Sequence, residues 1–160
     1  MELGRLGVWC FTDGMTPGQL AELAQHAERL GYGTLWYVEA FGYESFSLGS
    51  FLLNQTQTLN VASGIANIYG RDATASKQGQ NSLATFSGGR FLLGLGVSHT
   101  PLVVDARGHR YTKPLATMSA YLNAMEKASA MAPVVVEPPP TVLAALGPKM
   151  TKLAGERTNG

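Results

Sequence analysis

The sequence predicts an α/β fold with a parallel sheet, and three observations carry that reading. Five short apolar runs alternate with five longer segments of helical period, the pattern of strand–helix–strand crossovers. The first run, LGVWCF, is apolar almost without interruption, as a parallel strand covered on both faces is. The least core-like residues collect just after the runs: Thr12 and Asp13, Glu39 to Ser45, Ala66 to Arg71, and Val97 to Arg110. Two architectures satisfy this pattern, a doubly wound sheet and a barrel, both with right-handed crossovers.

Leu6 to Phe11 reads as the first strand. TPGQLAELAQHAERLGYG then carries full helix punctuation. Thr16 is the N-cap, Pro17 suits the first helical position and Gln19 completes a capping box. Leu20, Leu23, Ala24, Ala27 and Leu30 recur at helical spacing, and Gly31 is a C-terminal stop. TLWYVE, Thr34 to Glu39, is the second strand, followed by the polar and aromatic loop AFGYESFS. SLGSFLLNQT is expected to be helical, weakened by Gly49. LNVASGIANIY is a third strand with small residues in its middle.

Asp72 caps the next helix, whose SKQGQNSLATF is more polar than a packed helix should be, with Lys77, Gln78, Gln80 and Asn81. RFLLGLGVS is the fourth strand. The long loop HTPLVVDARGHRYTKP leads to the helix LATMSAYLNAMEKA, with Leu115, Met118, Leu122 and Met125 on one face. PTVLAAL is the fifth strand and GPKMTKLAGER the fifth helix, opened by Pro148. A doubly wound nucleotide fold would want a glycine fingerprint after its first strand; FTDGMTPG is not one. In a barrel, working residues sit at the carboxyl ends of the strands, where this chain keeps its polar stretches.

Composition narrows the function classes. The chain has 160 residues, 45% of them hydrophobic, enough for one domain spanning 1–160 with a real core. A formal net charge of +1 leaves no electrostatic footprint for nucleic acid or an anionic membrane. Cys10 is the single cysteine, which excludes an internal disulfide or a cysteine-rich metal site. The histidines lack the spacing of a metal motif such as H-E-x-x-H, so no metal is expected. No apolar run approaches a membrane span, and MELGRLGVWCF has no signal-peptide core. A soluble, cytoplasmic protein acting on a small molecule is the expectation.

Three stretches carry a resemblance. LAQHAERLGYGTLWYVEAFGYES, ASGIANIYGRDA and FSGGRFLLGLGVSH resemble the bacterial-luciferase-like monooxygenase superfamily, in its branch of deazaflavin-dependent (coenzyme F-420) oxidoreductases. RGHRYTKPLATMSAYLNAM and AALGPKMTKLAGERTNG resemble that branch too, so the likeness covers nearly the whole chain. It implies a (β/α)8 TIM barrel that binds coenzyme F-420, or FMN as the alternative, at its carboxyl face. It implies hydride transfer between that cofactor and an organic substrate.

Such barrels run to roughly 250 residues, so the chain corresponds to about the first five units and lacks the later strands. An open five-stranded sheet would expose the edges of its first and fifth strands, near Val8, Trp9, Val142 and Leu143. A homodimer in which two chains complete each other is therefore expected. The alternative is a truncated, non-catalytic half-barrel that binds a cofactor or a partner.

The resemblance also singles out residues. The family places an acidic or polar group at the end of the second strand, here Glu39, near cofactor and substrate; the other reading is a solvated carboxylate. At the end of the third strand, Gly64, Ile65, Ala66 and Asn67 match a bulge, often with a non-prolyl cis peptide, that supports the cofactor ring. Small residues there permit close backbone approach, and Asn67 could bond the polar edge of the ring. The other reading is plain strand–helix packing. After the fourth strand, Gly94 and Gly96 allow a ligand close, and backbone amides at Val97 and Ser98 can meet its polar atoms. His99 matches a position of proton transfer or ring binding, which a neutral imidazole can serve; a loop histidine with no such role is the alternative. Arg107, His109, Arg110 and Lys113 read either as a contact for an anionic cofactor tail or as a solvated loop. Trp9, Trp36 and Tyr37 are strand packing, with Trp9 a candidate for the pocket floor.

Overall fold

The structure, a computed structural model, describes residues 1–129, 131–132 and 138–160. Among these residues six strands and five α-helices follow in chain order: β1 (Gly7–Cys10), α1 (Pro17–Arg29), β2 (Thr34–Tyr37), α2 (Ser45–Asn54), β3 (Asn60–Ser63), β4 (Ala66–Asn67), α3 (Ala73–Phe86), β5 (Phe91–Gly96), α4 (Pro114–Lys127), β6 (Thr141–Leu143) and α5 (Pro148–Arg157). No helix among the described residues is long and apolar enough to cross a membrane.

Every strand pair is parallel. β1 pairs with β2, β2 with β3, β3 with β5, and β5 with β6 on its other side. Each new unit is thus added on the same side as the last. A doubly wound sheet reverses direction at its switch point; this sheet does not, and the successive order is that of a barrel.

The third run becomes two strands. Val61 and Ala62 pair with Phe91 and Leu92, whereas Ala66 and Asn67 pair with Leu95 and Gly96. The offset falls from 30 residues to 29 between the two ladders, so one residue is extra on the β3–β4 side. That is a β-bulge. It contains Gly64 and Ile65, and the peptide between them is cis.

Helix ends follow their local chemistry. Thr16 and Gln19 form the capping box of α1, and Gly31, at φ 79°, takes the left-handed position after its C-cap. Asp72 caps α3 by accepting from the Ala75 amide at 2.8 Å. α2 begins two residues earlier than SLGSFLLNQT suggests, because Glu44 is its N-cap and accepts from the Phe46 and Ser47 amides at 3.0 and 2.8 Å. The stretch read as one long loop after β5 contains a π-helical turn, Pro101–Asp105, that buries Leu102 and Val103.

The core lies between the sheet and its helices: Leu35, Tyr37, Val61, Phe91, Leu93 and Leu95 from the strands meet Leu20, Leu52, Leu83, Met118 and Leu122. Leu115 is only half-buried on α4. Gln78 of α3 faces solvent and Lys77 is half-buried, whereas Gln80 and Ser76 are buried with partners. Gln80, 1% exposed, donates from Nε2 to the Pro139 and Pro140 carbonyls at 3.0 Å and to Thr141 Oγ1 at 2.8 Å. Ser76 bonds the Tyr121 hydroxyl of α4 at 2.6 Å.

The two sheet edges differ. Among the described residues β1 has β2 as its one strand partner, and Leu6, Trp9 and Phe11 around it are 68%, 57% and 57% exposed. The outer edge of β6 is not bare, contrary to expectation. Leu143 N donates to Gly160 O at 2.9 Å, and Asn159 N donates to Thr141 O at 2.8 Å. Leu143 is accordingly buried.

Candidate functional site

All strands end on one side of the sheet, and the polar stretches meet there. Glu39 follows β2 and turns inward. Its Oε1 accepts from the Ser45 amide at 3.3 Å and from Arg71 Nη2; its Oε2 accepts from the Asn67 amide at 2.7 Å and Arg71 Nη1 at 3.0 Å. Arg71 also reaches Glu44 Oε1 at 2.9 Å and lies over the Phe46 ring, 5.0 Å from its centroid. Burial alone would pull the Arg71 guanidinium down, but hydrogen bonds and charge from Glu39, with the charge of Glu44, hold it above its ordinary value. Glu39 is buried at 6% exposure, so it is a paired interior carboxylate and not a solvated one.

The bulge lies beside this pair. Trp9 Nε1 donates to the Gly64 carbonyl at 2.9 Å, and a Cβ on Gly64 would sit 3.2 Å from the indole ring. Trp9 and Gly64 therefore share one apolar surface. The Ile65 side chain lies over Gly96, within 2.6 Å of where a Cβ would stand. Ser63 Oγ is bonded to both the amide and the carbonyl of Gly94 at 2.9 Å. A side chain at Gly94 would meet the Ser63 carbonyl at 2.0 Å, so this close approach requires glycine.

Asn67 is 2% exposed and held on three sides. Its amide donates to Glu39, its carbonyl accepts from the Gly70 amide at 2.9 Å, and its Oδ1 accepts from the Tyr69 amide at 3.0 Å. A backbone N–H needs an acceptor, which fixes the side-chain orientation. Nδ2 makes no hydrogen bond among the described residues; the buried side-chain polar atoms there without a partner are Thr12 Oγ1, Asp13 Oδ1 and the Tyr69 hydroxyl.

After β5 the chain turns at Ser98, whose φ of 55° is unusual for a residue with a side chain. The Tyr111 hydroxyl donates to the Ser98 carbonyl at 3.1 Å, and the Tyr111 and His109 rings each stand 6.1 Å from Tyr69. Arg107, His109, Arg110 and Lys113 are exposed on this loop. His99 is exposed as well; its carbonyl accepts from the Val103 amide at 3.1 Å.

The structure thus brings Glu39, Gly64, Ile65, Ala66, Asn67 and Gly96 into one bonded cluster, with Val97 and Ser98 on the same strand end. The His99 ring bonds none of them. Arg71 and Glu44 escaped the reading of individual residues, although both lie in the polar stretches that mark strand ends. Tyr111 escaped it altogether.

The arrangement suits a flat, wide ligand with a polar edge. It offers an apolar face from Trp9, Gly64 and Ile65, and Asn67 Nδ2 beside it. Contrary to expectation, Gly94 and Gly96 do not open a path for a ligand, because the Ser63 carbonyl and the Ile65 side chain fill the space their missing side chains leave.

The family model for luciferase-like monooxygenases matches residues 2–160, and the chain belongs to that family. A Mycobacterium tuberculosis protein bearing the name coenzyme F-420-dependent oxidoreductase is 33% identical over 124 residues, 77% of this chain and 35% of that one. The coenzyme F-420-dependent tetrahydromethanopterin reductase of Methanopyrus kandleri superposes with a TM-score of 0.78 at 21% identity, over 97% of this chain and 54% of that one. An FMN complex of a Pseudomonas putida type II Baeyer–Villiger monooxygenase, the oxygenating constituent of 3,6-diketocamphane monooxygenase, also gives 0.78, at 16% identity over 95% and 55%. The chain therefore spans about a third to a half of the length of these relatives. The structural likenesses show the fold: a parallel α/β sheet of the TIM-barrel type, in the extent of a half-barrel.

Proposed function

We propose that this chain supplies the cofactor-binding part of an oxidoreductase that uses coenzyme F-420, with FMN as the alternative, on a small organic substrate. The observation that carries the reading is the bulge between β3 and β4, an apolar platform beside Asn67, whose Nδ2 makes no hydrogen bond among the described residues. The family and the F-420-dependent relative support the choice of cofactor.

In this reading, Gly64, Ile65 and Ala66 form the surface under the ring, and Trp9 extends it. Asn67 Nδ2 donates to the polar edge of the ring. Gly96 leaves room for the Ile65 side chain to pack over the strand end, and the Val97 and Ser98 amides offer further donors. Reduced F-420, when bound, supplies a hydride, and that chemistry is the cofactor's own. His99 is exposed and its ring is uncommitted, so it can hold on a ring nitrogen the proton that completes reduction of the substrate. The assembly acts in the cytoplasm, as a homodimer.

Spectral titration of the purified chain with F-420 and with FMN tests the proposal. F-420 is expected to bind more tightly. Micromolar FMN binding with none for F-420 would reverse the choice of cofactor, and binding of neither would leave the non-catalytic half-barrel as the better reading.

A further inference from the structure

Glu39 stands where an acid–base group would be sought, yet its oxygens are all occupied. A general acid or base needs an oxygen free to meet a substrate atom. Here Oε1 is taken by Ser45 N and Arg71 Nη2, and Oε2 by Asn67 N and Arg71 Nη1. The side chain is 4% exposed.

What those bonds hold is more telling than what they block. Glu39 grips the amide of Asn67, while Arg71 Nη1 reaches the Asn67 carbonyl at 3.4 Å. The two peptide groups that set the direction of the Asn67 side chain are therefore fixed by one ion pair. Arg71 is itself anchored, since the Tyr121 hydroxyl donates to its carbonyl at 3.0 Å. A planar guanidinium against a carboxylate is a rigid two-pronged contact, which a lysine cannot reproduce.

We propose that Glu39 and Arg71 form a positioning clamp whose task is to aim Asn67 Nδ2 at the ligand, and that Glu39 moves no proton. The clamp rests on the cofactor reading above. It assigns a role to an ion pair that plain fold stability does not require, because a buried pair is often no better for stability than apolar packing. It also predicts that Glu39 acts on ligand binding through Asn67 alone.

The test titrates wild type, Glu39→Gln, Arg71→Lys, Asn67→Ala and the Glu39→Gln/Asn67→Ala double variant with F-420 and FMN, reading affinity and the absorption band of the bound ring. Glu39→Gln and Asn67→Ala are each expected to weaken the tighter cofactor by roughly ten-fold and to remove the same shift in that band. The double variant is expected to bind within about two-fold of Asn67→Ala alone, because one pathway carries both effects. Additive losses, or wild-type affinity and spectrum in Glu39→Gln, overturn the clamp while leaving the cofactor reading standing. Wild-type chain that binds neither cofactor overturns both. Should Glu39→Gln fail to fold, Arg71→Lys decides: a lost band shift supports the clamp, and a wild-type band overturns it.

Discussion

The Tyr111 hydroxyl donates to the Ser98 carbonyl at 3.1 Å, tying the far end of the loop after β5 back to the strand it left. Desolvation, then the neighbouring Tyr69, push the Tyr111 phenol above its ordinary value, so it keeps its donor proton through the neutral range. Between the two residues lie Arg107 and Arg110, both exposed. Tyr111→Phe removes the tether and keeps the ring. Limited trypsin digestion is expected to cut at Arg107 and Arg110 about five- to ten-fold faster, the effect of a hydrogen bond worth about 1 kcal/mol on local opening. Unchanged cleavage would show that aromatic packing on Tyr69 suffices to hold the loop.

Asn67 and His99 are expected to fail in different ways. Asn67 is buried at the strand-end crevice proposed above for the ligand, whereas the His99 ring is exposed and bonds no other side chain among the described residues. In a screen of organic acceptors with reduced F-420, His99→Ala should lower kcat by about ten-fold or more and change affinity little. Asn67→Ala should chiefly raise the cofactor Kd. If both variants match wild type, the crevice is not the site.

Glu28 offers a test of the fold that is independent of any ligand. Its Oε1 accepts from the amides of Gln57, Thr58 and Leu59 at 2.9, 2.6 and 2.9 Å, and from the Thr58 hydroxyl at 2.9 Å. Desolvation raises the carboxyl, but the bonds from Thr58, Leu59 and Gln57 outweigh it and hold the group below its ordinary 4.5. A carboxylate depressed on folding contributes stability that is present above its unfolded pKa and lost as pH falls through the folded one. Glu28→Ala should therefore cost about 1.5–3 kcal/mol near pH 7, and the gap to wild type in urea melts should narrow below about pH 4. A gap that stays constant across that range would show that the carboxylate charge is not what matters.

Where an element's cause is local, it could be read from the sequence. The Thr16–Gln19 box, Gly31 and the Asp72 cap involve neighbours three residues apart or fewer, and the structure places each as read. Distant partners could not be read. Gln80 looked out of place in a packed helix because its acceptors lie 59 to 61 residues further on. Glu39 reads from the sequence as a strand-end acid near a cofactor or in solvent, and its ion pair is invisible there because Arg71 is 32 residues away. The bulge was legible only in outline: small residues at Gly64 and Ala66 permit it, but the one-residue change in register appears only when β5 is laid alongside. At the β6 edge, the sequence shows strand-end residues but not that Asn159 and Gly160 lie along it.

That difference between the edges sharpens the expectation about assembly. With the β6 edge bonded to Asn159 and Gly160, β1 is the edge that, among the described residues, meets no further backbone beyond β2. Around it Leu6, Trp9 and Phe11 expose large apolar surface. An unpaired strand with an apolar flank is a template for association. The chain is therefore expected to self-associate through β1, and light scattering should give a mass above that of one chain. Leu6→Lys and Phe11→Lys place charge beside that edge without touching the core; each should shift the distribution toward single chains while the melting midpoint moves by no more than a few degrees. A monodisperse single-chain mass for wild type, with a cooperative melt, would show that the exposed flank of β1 is stable in water and that no second copy is needed to cover it.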